Sequence, residues 1–501
     1  MRHRPDCRAA HAQPSTRKPA HTRAVAMVAK LERAGATGPG NQHAEIASWK
    51  CPTRPMTTAS EAAVQPANRT LRIFCLLFGA LLGLSLLKFG NPVILDKVVL
   101  LPQDFLEWVL MPWPVRIGHW LLLLVLCVGI FCIRRRDLRV RGVAVLPLAW
   151  FCWQLVAATQ TVNANLTIIT LRHFATCLAC FYLGYLVVGQ LKYPAQLYLG
   201  ITCGLGLALA MGLDQHFGGL EQTRKHFWLY IYPALQDVPP ELLKRMSSNR
   251  IFGTLFYPNS FAGAIVLCSP AVLAFIWSLE RYFTRGARAF LMLLFGIAAF
   301  ACLFWTGSKG GWLVALAVCM VALLHLRFAH WVKLGLVAVV LCVGLTAFAV
   351  RFTGYFKRGA ASAVARVDYW QAALLACANS PLVGTGPGTF QVSYAALKRP
   401  EAEMARMTHN DYLQQASDSG LPGGALYAVL IICGLRAAYP GNGLPGSWFS
   451  FAAWLGVLGW CLHNLVEFGL YIPALSWIAF ASFGWLIRSN QKTFDKQPGN
   501  T

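Results

Sequence analysis

Apolar runs of roughly 16–20 residues, separated by short polar breaks, occupy most of this chain. A helix that crosses a bilayer needs about 20 apolar residues. Runs that meet or approach this length fall near residues 71–90, 118–133, 143–159, 171–189, 196–213, 260–279, 288–306, 311–325, 332–350, 421–436, 447–464 and 470–487. The pattern predicts an all-α, polytopic integral membrane protein with about twelve transmembrane helices. Two polar intervals are much longer than the rest, about 214–258 and 351–419. The membrane domain spans 70–490, after a basic tail at 1–69 and before a polar tail at 491–501.

Charge sets the expected orientation. Arg134, Arg135, Arg136, Arg139 and Arg141 follow the second run, and such clusters stay in the cytoplasm. Alternation then puts both termini inside. Lys192, the Arg281–Arg288 group, the His325–Lys333 group, Arg436 and Arg488 also fall inside. Both long intervals come out on the opposite face. They still carry Arg224, Lys225, Lys244, Arg245, Arg250, Arg351, Lys357, Arg358, Arg366, Lys398, Arg399 and Arg406. Positive charge there runs against the topological rule, and an anionic substrate at that leaflet accounts for it.

Composition agrees. Of 501 residues, 56% are hydrophobic and only 13% charged, against about 25% charged in a soluble domain. The net charge of +24 does not indicate nucleic acid binding. Ten Lys/Arg against three Asp/Glu in residues 1–55 supply +7 of it, and short loops hold much of the rest. The tail lacks the apolar stretch of a secretory signal. Its abrupt end suggests a cytoplasmic extension or a true start at Met56. The 16 cysteines lie mostly inside apolar runs and read as small hydrophobes. Cys177 and Cys180 have redox spacing but sit within a predicted span. No zinc pattern appears, and no metal or cofactor is expected.

Candidate chemistry gathers around the long intervals. Arg250 precedes a predicted span, and a guanidinium suits a diphosphate because its planar fork stays charged and bonds in pairs. Asn259 is placed to cap the helix entering at Ser260. Lys309, between Gly307 and Gly310, can hold an amine over a cavity; the spacing is not that of a nucleotide phosphate loop. Gly384-Thr385-Gly386-Pro387-Gly388 lacks a βαβ context, and Pro387 removes a donor, so it predicts a tight turn that places backbone near the site. His409 shares its interval with Arg366 and precedes an apolar helix, with Asp418 nine residues on. A neutral imidazole can take a proton from a hydroxyl near neutral pH. His463 and Glu467, four apart, are expected on one helix face as acceptor-positioning groups.

These residues also form a longer pattern. His409, Asn410, Tyr412, Leu413, Asp418, Gly420 and Gly423 fit H-N-x-[YF]-L-x-x-x-x-[DE]-x-G-x-x-G. Arg366 and Trp370, the Pro381–Gly388 segment, Arg250 to Asn259, and His463 to Glu467 followed by Pro473 accompany it. Together, over roughly 70–490, they resemble the O-antigen ligase and polymerase superfamily of bacterial membrane glycosyltransferases. That resemblance implies metal-independent transfer of a glycan from undecaprenyl diphosphate to a hydroxyl at the periplasmic face of the inner membrane. It implies that Arg250 and Arg366 grip the diphosphate and that His409 acts as base or orients the acceptor. One departure is Lys309, where the family commonly has arginine; the charge stays but the fork is lost.

Lipid A-core is the favoured acceptor. A growing glycan (polymerase) and a protein hydroxyl (O-oligosaccharyltransferase) stay open. From another class, a transporter or flippase of an amphipathic anion would place its charges near the bilayer midplane. Here they cluster toward one face.

Overall fold

A computed structural model describes residues 69–494, apart from 134–137, 139, 235–242, 244–246, 327, 358–359 and 442–446. The tail expected at 1–69 (save Arg69), the arginines 134–136 and 139, and Lys244, Arg245, Arg327 and Arg358 lie outside the described residues. So do Pro239, Pro240 and residues 495–501.

The described chain is helical, with no strand among the described residues. In order, α1 is Arg69–Lys88, α2 Phe105–Leu110, α3 Val115–Cys132, α4 Leu146–Ala158, α5 Ala164–Tyr182, α6 Ala195–Asp214, α7 Leu220–His226 and α8 Pro258–Trp277. Then come α9 Arg285–Thr306, α10 Lys309–His325, α11 His330–Lys357, α12 Ala361–Asn379, α13 Phe390–Leu397, α14 Asp411–Ala438, α15 Ser447–His463 and α16 Pro473–Phe494. Every predicted apolar run falls on one of these helices. Among the described residues, eight helical stretches are long and apolar enough to cross a membrane, and three shorter ones are apolar.

The bundle core is aromatic. Trp150, Trp460, Trp477 and Trp485 are fully buried. Trp150 packs on Phe174, Tyr427 and Phe480. Lipid offers no hydrophobic drive between helices, so contact area of this kind holds them together. All described cysteines are free, and Cys177 and Cys180 are buried within α5.

The long intervals are more helical than their polarity suggests. A wider turn at Gln215–Gly219 carries α6 into α7. Within 351–419, α11 continues to Lys357, and α12 and α13 follow. Surface helices alternate polar and apolar faces, so their apolar share never reaches that of a membrane span. At the other end of the interval, α14 starts ten residues before the apolar run at 421. Its backbone breaks at Gly420, with φ +71° and ψ 177°. The polar half, 411–419, is thus a helix that hydropathy cannot see.

Candidate active site at one end of the bundle

The site begins at the start of α14. Asn410 caps this helix, its Oδ1 accepting from Tyr412 N and Leu413 N. Thr408 folds over the same step: its hydroxyl donates to Asn410 O and accepts from Asn410 N. Gln414 Oε1 accepts from Thr408 N, and Trp370 Nε1 donates to Thr408 O. These bonds hold His409 at φ +52°, a left-handed conformation that costs a non-glycine residue about 1 kcal/mol or more. One residue on, Asp411 joins the turn between α15 and α16. Its N donates to Asn464 O, and its Oδ2 accepts from Leu470 N. That junction brings Glu467 up to His409.

Glu467 is the hub. One carboxylate oxygen, Oε2, lies 3.2 Å from His409 Nδ1. The other accepts from Arg366 Nη2 and from Asn259 Nδ2. Asn259 Oδ1 in turn accepts from Arg250 Nη2 at 2.6 Å, and Arg250 Nε donates to Thr306 O at 2.6 Å. Only 8% of the Glu467 side chain is exposed. Burial pushes its carboxyl pKa up, but Arg366, His409 and His463 outweigh burial and bring it down to about 2. Burial, and Arg366 as a like charge, make the Arg250 cation less favourable than it is in water, with Glu467 acting the other way.

Cations outnumber this carboxylate. Lys309 lies within electrostatic reach of Arg250 and Arg366. Its Nζ sits 4.0 Å from the Tyr355 ring centre and 5.2 Å from that of Phe352. Three positive groups therefore share Glu467 as their acidic neighbour among the described residues.

On its other side His409 lines a cavity of about 170 Å³. Tyr257, Tyr369 and Phe468 contribute rings to its wall, and Glu403 and Arg406 contribute charge. Tyr369 stacks near the imidazole at 6.0 Å, and Phe468 meets it edge-on at 4.7 Å. With Nδ1 at Glu467, Nε2 is the nitrogen left for a ligand.

The predicted site residues divide into two groups. Arg250, Asn259, Lys309, Arg366, His409 and Glu467 come together, with Asn410 as the cap that sets the imidazole. Two local expectations are corrected. Asn259 does not cap its helix: α8 begins at Pro258, with Tyr257 before it and no side-chain cap. Proline suits the first helical position because it needs no N–H partner there, and Asn259 is left to bridge Arg250 and Glu467. His463 and Glu467 do not share a helix face, because α15 ends at His463 and a turn follows. His463 is buried beside Glu467, and its Nε2 has no bonding partner among the described residues.

Asp418 lies apart from this group. Its Oδ2 accepts from Gly388 N, Gln414 Nε2 and Tyr471 OH. It anchors the Pro381–Gly388 turn on the break in α14. Gly386 N donates to Asp418 O, and Leu421 N to Pro381 O. Gly384 has φ +66°, and a Cβ there would meet the Asp418 carbonyl carbon at 2.5 Å. The predicted tight turn is present, and it serves the scaffold. Sequence reasoning missed Tyr257, Tyr369 and Phe468. All three stand within or beside motif residues: Tyr257 lies inside the Arg250–Asn259 segment, Tyr369 precedes Trp370, and Phe468 follows Glu467. Among the described residues, no three His, Cys, Asp or Glu are grouped as metal ligands.

Fold and site together define a polytopic membrane protein with a histidine, a carboxylate and a cluster of cations at one end of its bundle. Residues 294–428 match the family model described as O-antigen ligase. The match over this segment supports the resemblance to the O-antigen ligase and polymerase superfamily, a family that implies a glycosyltransferase-like enzyme. The matched segment holds Lys309, Arg366 and His409. Arg250, Asn259 and Glu467 lie outside it and reach the site through the fold. No curated protein matches the chain.

Proposed function

We propose that this protein transfers a glycan from undecaprenyl diphosphate to an acceptor hydroxyl at the periplasmic face of a bacterial inner membrane, with lipid A-core as acceptor. The observation that carries the proposal is the imbalance around Glu467. Arg250, Arg366 and Lys309 gather beside one carboxylate and a histidine. Like charges drawn together at a part-buried site are relieved by an anionic ligand, and a diphosphate supplies the charge they lack.

The acceptor oxygen attacks the anomeric carbon. A new glycosidic C–O bond forms, and the bond from that carbon to the diphosphate oxygen breaks. The diphosphate leaves with the bonding electron pair, and fixed cations stabilise its added charge. The acceptor proton passes to Nε2 of His409, while Glu467 at Nδ1 orients the ring and stabilises the imidazolium. His409 is the catalytic group; Arg250, Arg366 and Lys309 bind; Asn259 and Glu467 position. His463, beside Glu467, supports that carboxylate. The charges gather at helix ends, which favours transfer over transport through the bilayer centre.

Reconstitution tests this reading. The purified protein receives undecaprenyl-diphosphate glycan, with lipid A-core or without acceptor, and products are followed by mass. Glycan on lipid A-core supports the ligase. A ladder of longer lipid-linked glycan without acceptor replaces it with a polymerase. Intact donor in both reactions overturns the proposed transfer to lipid A-core and directs attention to a protein acceptor or to transport.

A further inference from the structure

The cations do not stop at Lys309. Arg351, near the end of α11, continues the series outward. Its guanidinium carbon lies 4.9 Å from the Phe304 ring centre and 5.8 Å from that of Phe352. Phe352 is the same ring that Lys309 faces from 5.2 Å. One buried phenyl group therefore has two cations near it. Arg351 is exposed, Lys309 is half-buried, and the Arg366 side chain is 20% exposed. Among the described residues neither Arg351 nor Lys309 forms an ion pair, and the carboxylate of the series, Glu467, stands at its inner end.

The helix that carries Arg351 has an exposed apolar face. The α11 helix packs on α10, and the most apolar stretch of α11 has no buried share. Leu334, Val339, Val343 and Val350 all point outward. A cation at the end of such a helix ordinarily extends to the headgroup layer. Arg351 instead lies along Phe304 of α9 and shares the Phe352 ring with Lys309. A ligand with an anionic head and an apolar tail can meet this row from the bilayer, with its tail left in lipid.

We infer that Arg351 is an outer docking point for the diphosphate of a polyprenyl-linked donor, which reaches the site laterally along Arg351 and Lys309. This rests on the proposed transferase reading. A phospholipid phosphate has the same chemistry; the surplus of cations further in, Lys309, Arg250 and Arg366 beside one carboxylate, favours the more highly charged diphosphate. Docking precedes the chemical step, so Arg351 affects donor capture and leaves turnover alone.

The test uses the full-length protein in vesicles of zwitterionic lipid. Two donors are compared: the long-chain lipid-diphosphate glycan and the same glycan diphosphate on a short, water-soluble chain. For R351Q we expect a KM about fivefold to tenfold higher for the long-chain donor. Its kcat should be unchanged, its KM for the short-chain donor unchanged, and R351K should restore most of the loss. An unchanged long-chain KM overturns the inference. So does an equal rise for both donors, which would make Arg351 a contributor to the field at the site with no part in the lateral route. A difference that appears only after phosphatidylglycerol is added assigns the arginine to a resident phospholipid and also overturns it. Binding of glycan-free polyprenyl diphosphate, followed by tryptophan fluorescence, needs no transfer. If wild type transfers nothing but R351Q still binds this lipid more weakly, the transferase reading fails and the docking point stands.

Discussion

Nδ1 of His409 faces Oε2 of Glu467 at 3.2 Å, while Oε1 of the same carboxylate holds Arg366 and Asn259. One side chain thus divides its two oxygens between the proposed base and the proposed diphosphate grip. Neither can shift without the other, and the carboxylate is too buried for water to take over either contact.

Glu467→Gln tests that coupling. The amide keeps the shape, but its NH₂ group would face Nδ1 and place the imidazole proton on Nε2, where the acceptor proton must go. We expect kcat to fall by about a hundredfold or more. Initial rates at saturating donor would measure it. A rate within twofold of wild type would reduce the contact to a structural one.

Asn259→Asp tests the bridge to Arg250. It sets a second carboxylate beside Glu467 and between two arginines, which cancels part of the cation surplus. Donor KM should rise by about tenfold or more, with a smaller change in acceptor KM. Equal changes in both constants would show that the surplus does not select the donor.

Acid stability follows from the same carboxylate. Its folded pKa, about 2, is depressed from an ordinary 4.5. A depressed carboxyl stabilises the fold fully above its unfolded value and loses that contribution as pH falls toward the folded one. Wild type should therefore lose on the order of 3 kcal/mol relative to Glu467→Gln between pH 5 and pH 2. Denaturant unfolding in detergent at several pH values would show it. Parallel curves for the two proteins would mean the carboxylate is not held ionised.

The break in α14 can be tested against a neutral glycine. A Cβ on Gly420 would sit 2.2 Å from Leu382 O, at a φ of +71°. Gly420→Ala should destabilise by about 2 kcal/mol or more. Gly206, in α6, has nothing within 4 Å of the added carbon, so Gly206→Ala should be neutral or slightly stabilising. The two midpoints of thermal unfolding give the comparison directly.

The membrane helices were legible in the sequence because a bilayer imposes one length and one polarity on each of them. Arg250, Arg366, Lys309 and His409 were legible because arginine, lysine and histidine are uncommon beside apolar runs. Their assembly was not. Glu467 follows His409 by 58 residues, and hydropathy carries no information on which helix ends meet. The misplaced cap at Asn259 has a local cause, since proline lets the helix start two residues sooner. The four-residue spacing of His463 and Glu467 misled because a helix face requires the helix to continue, and α15 had ended. Asp418 was expected as a supporting residue because an acid sits near a histidine in sequence, but the sequence did not say what it supports. Its carboxylate accepts a backbone N–H of the Pro381–Gly388 turn.

The break at Gly420 has a mechanical consequence. The polar half of α14 is fastened to the 381–388 turn, while the apolar half, 421–438, lies beyond a change of direction. A membrane helix answers a thicker or thinner bilayer by tilting. If the apolar half tilts about the break at Gly420, beyond its own bond from Leu421 N to Pro381 O, the cap that fixes His409 need not follow. The depth of the imidazole is then set by the turn it is tied to, and the rate of the enzyme should vary little with the acyl-chain length of the surrounding lipid.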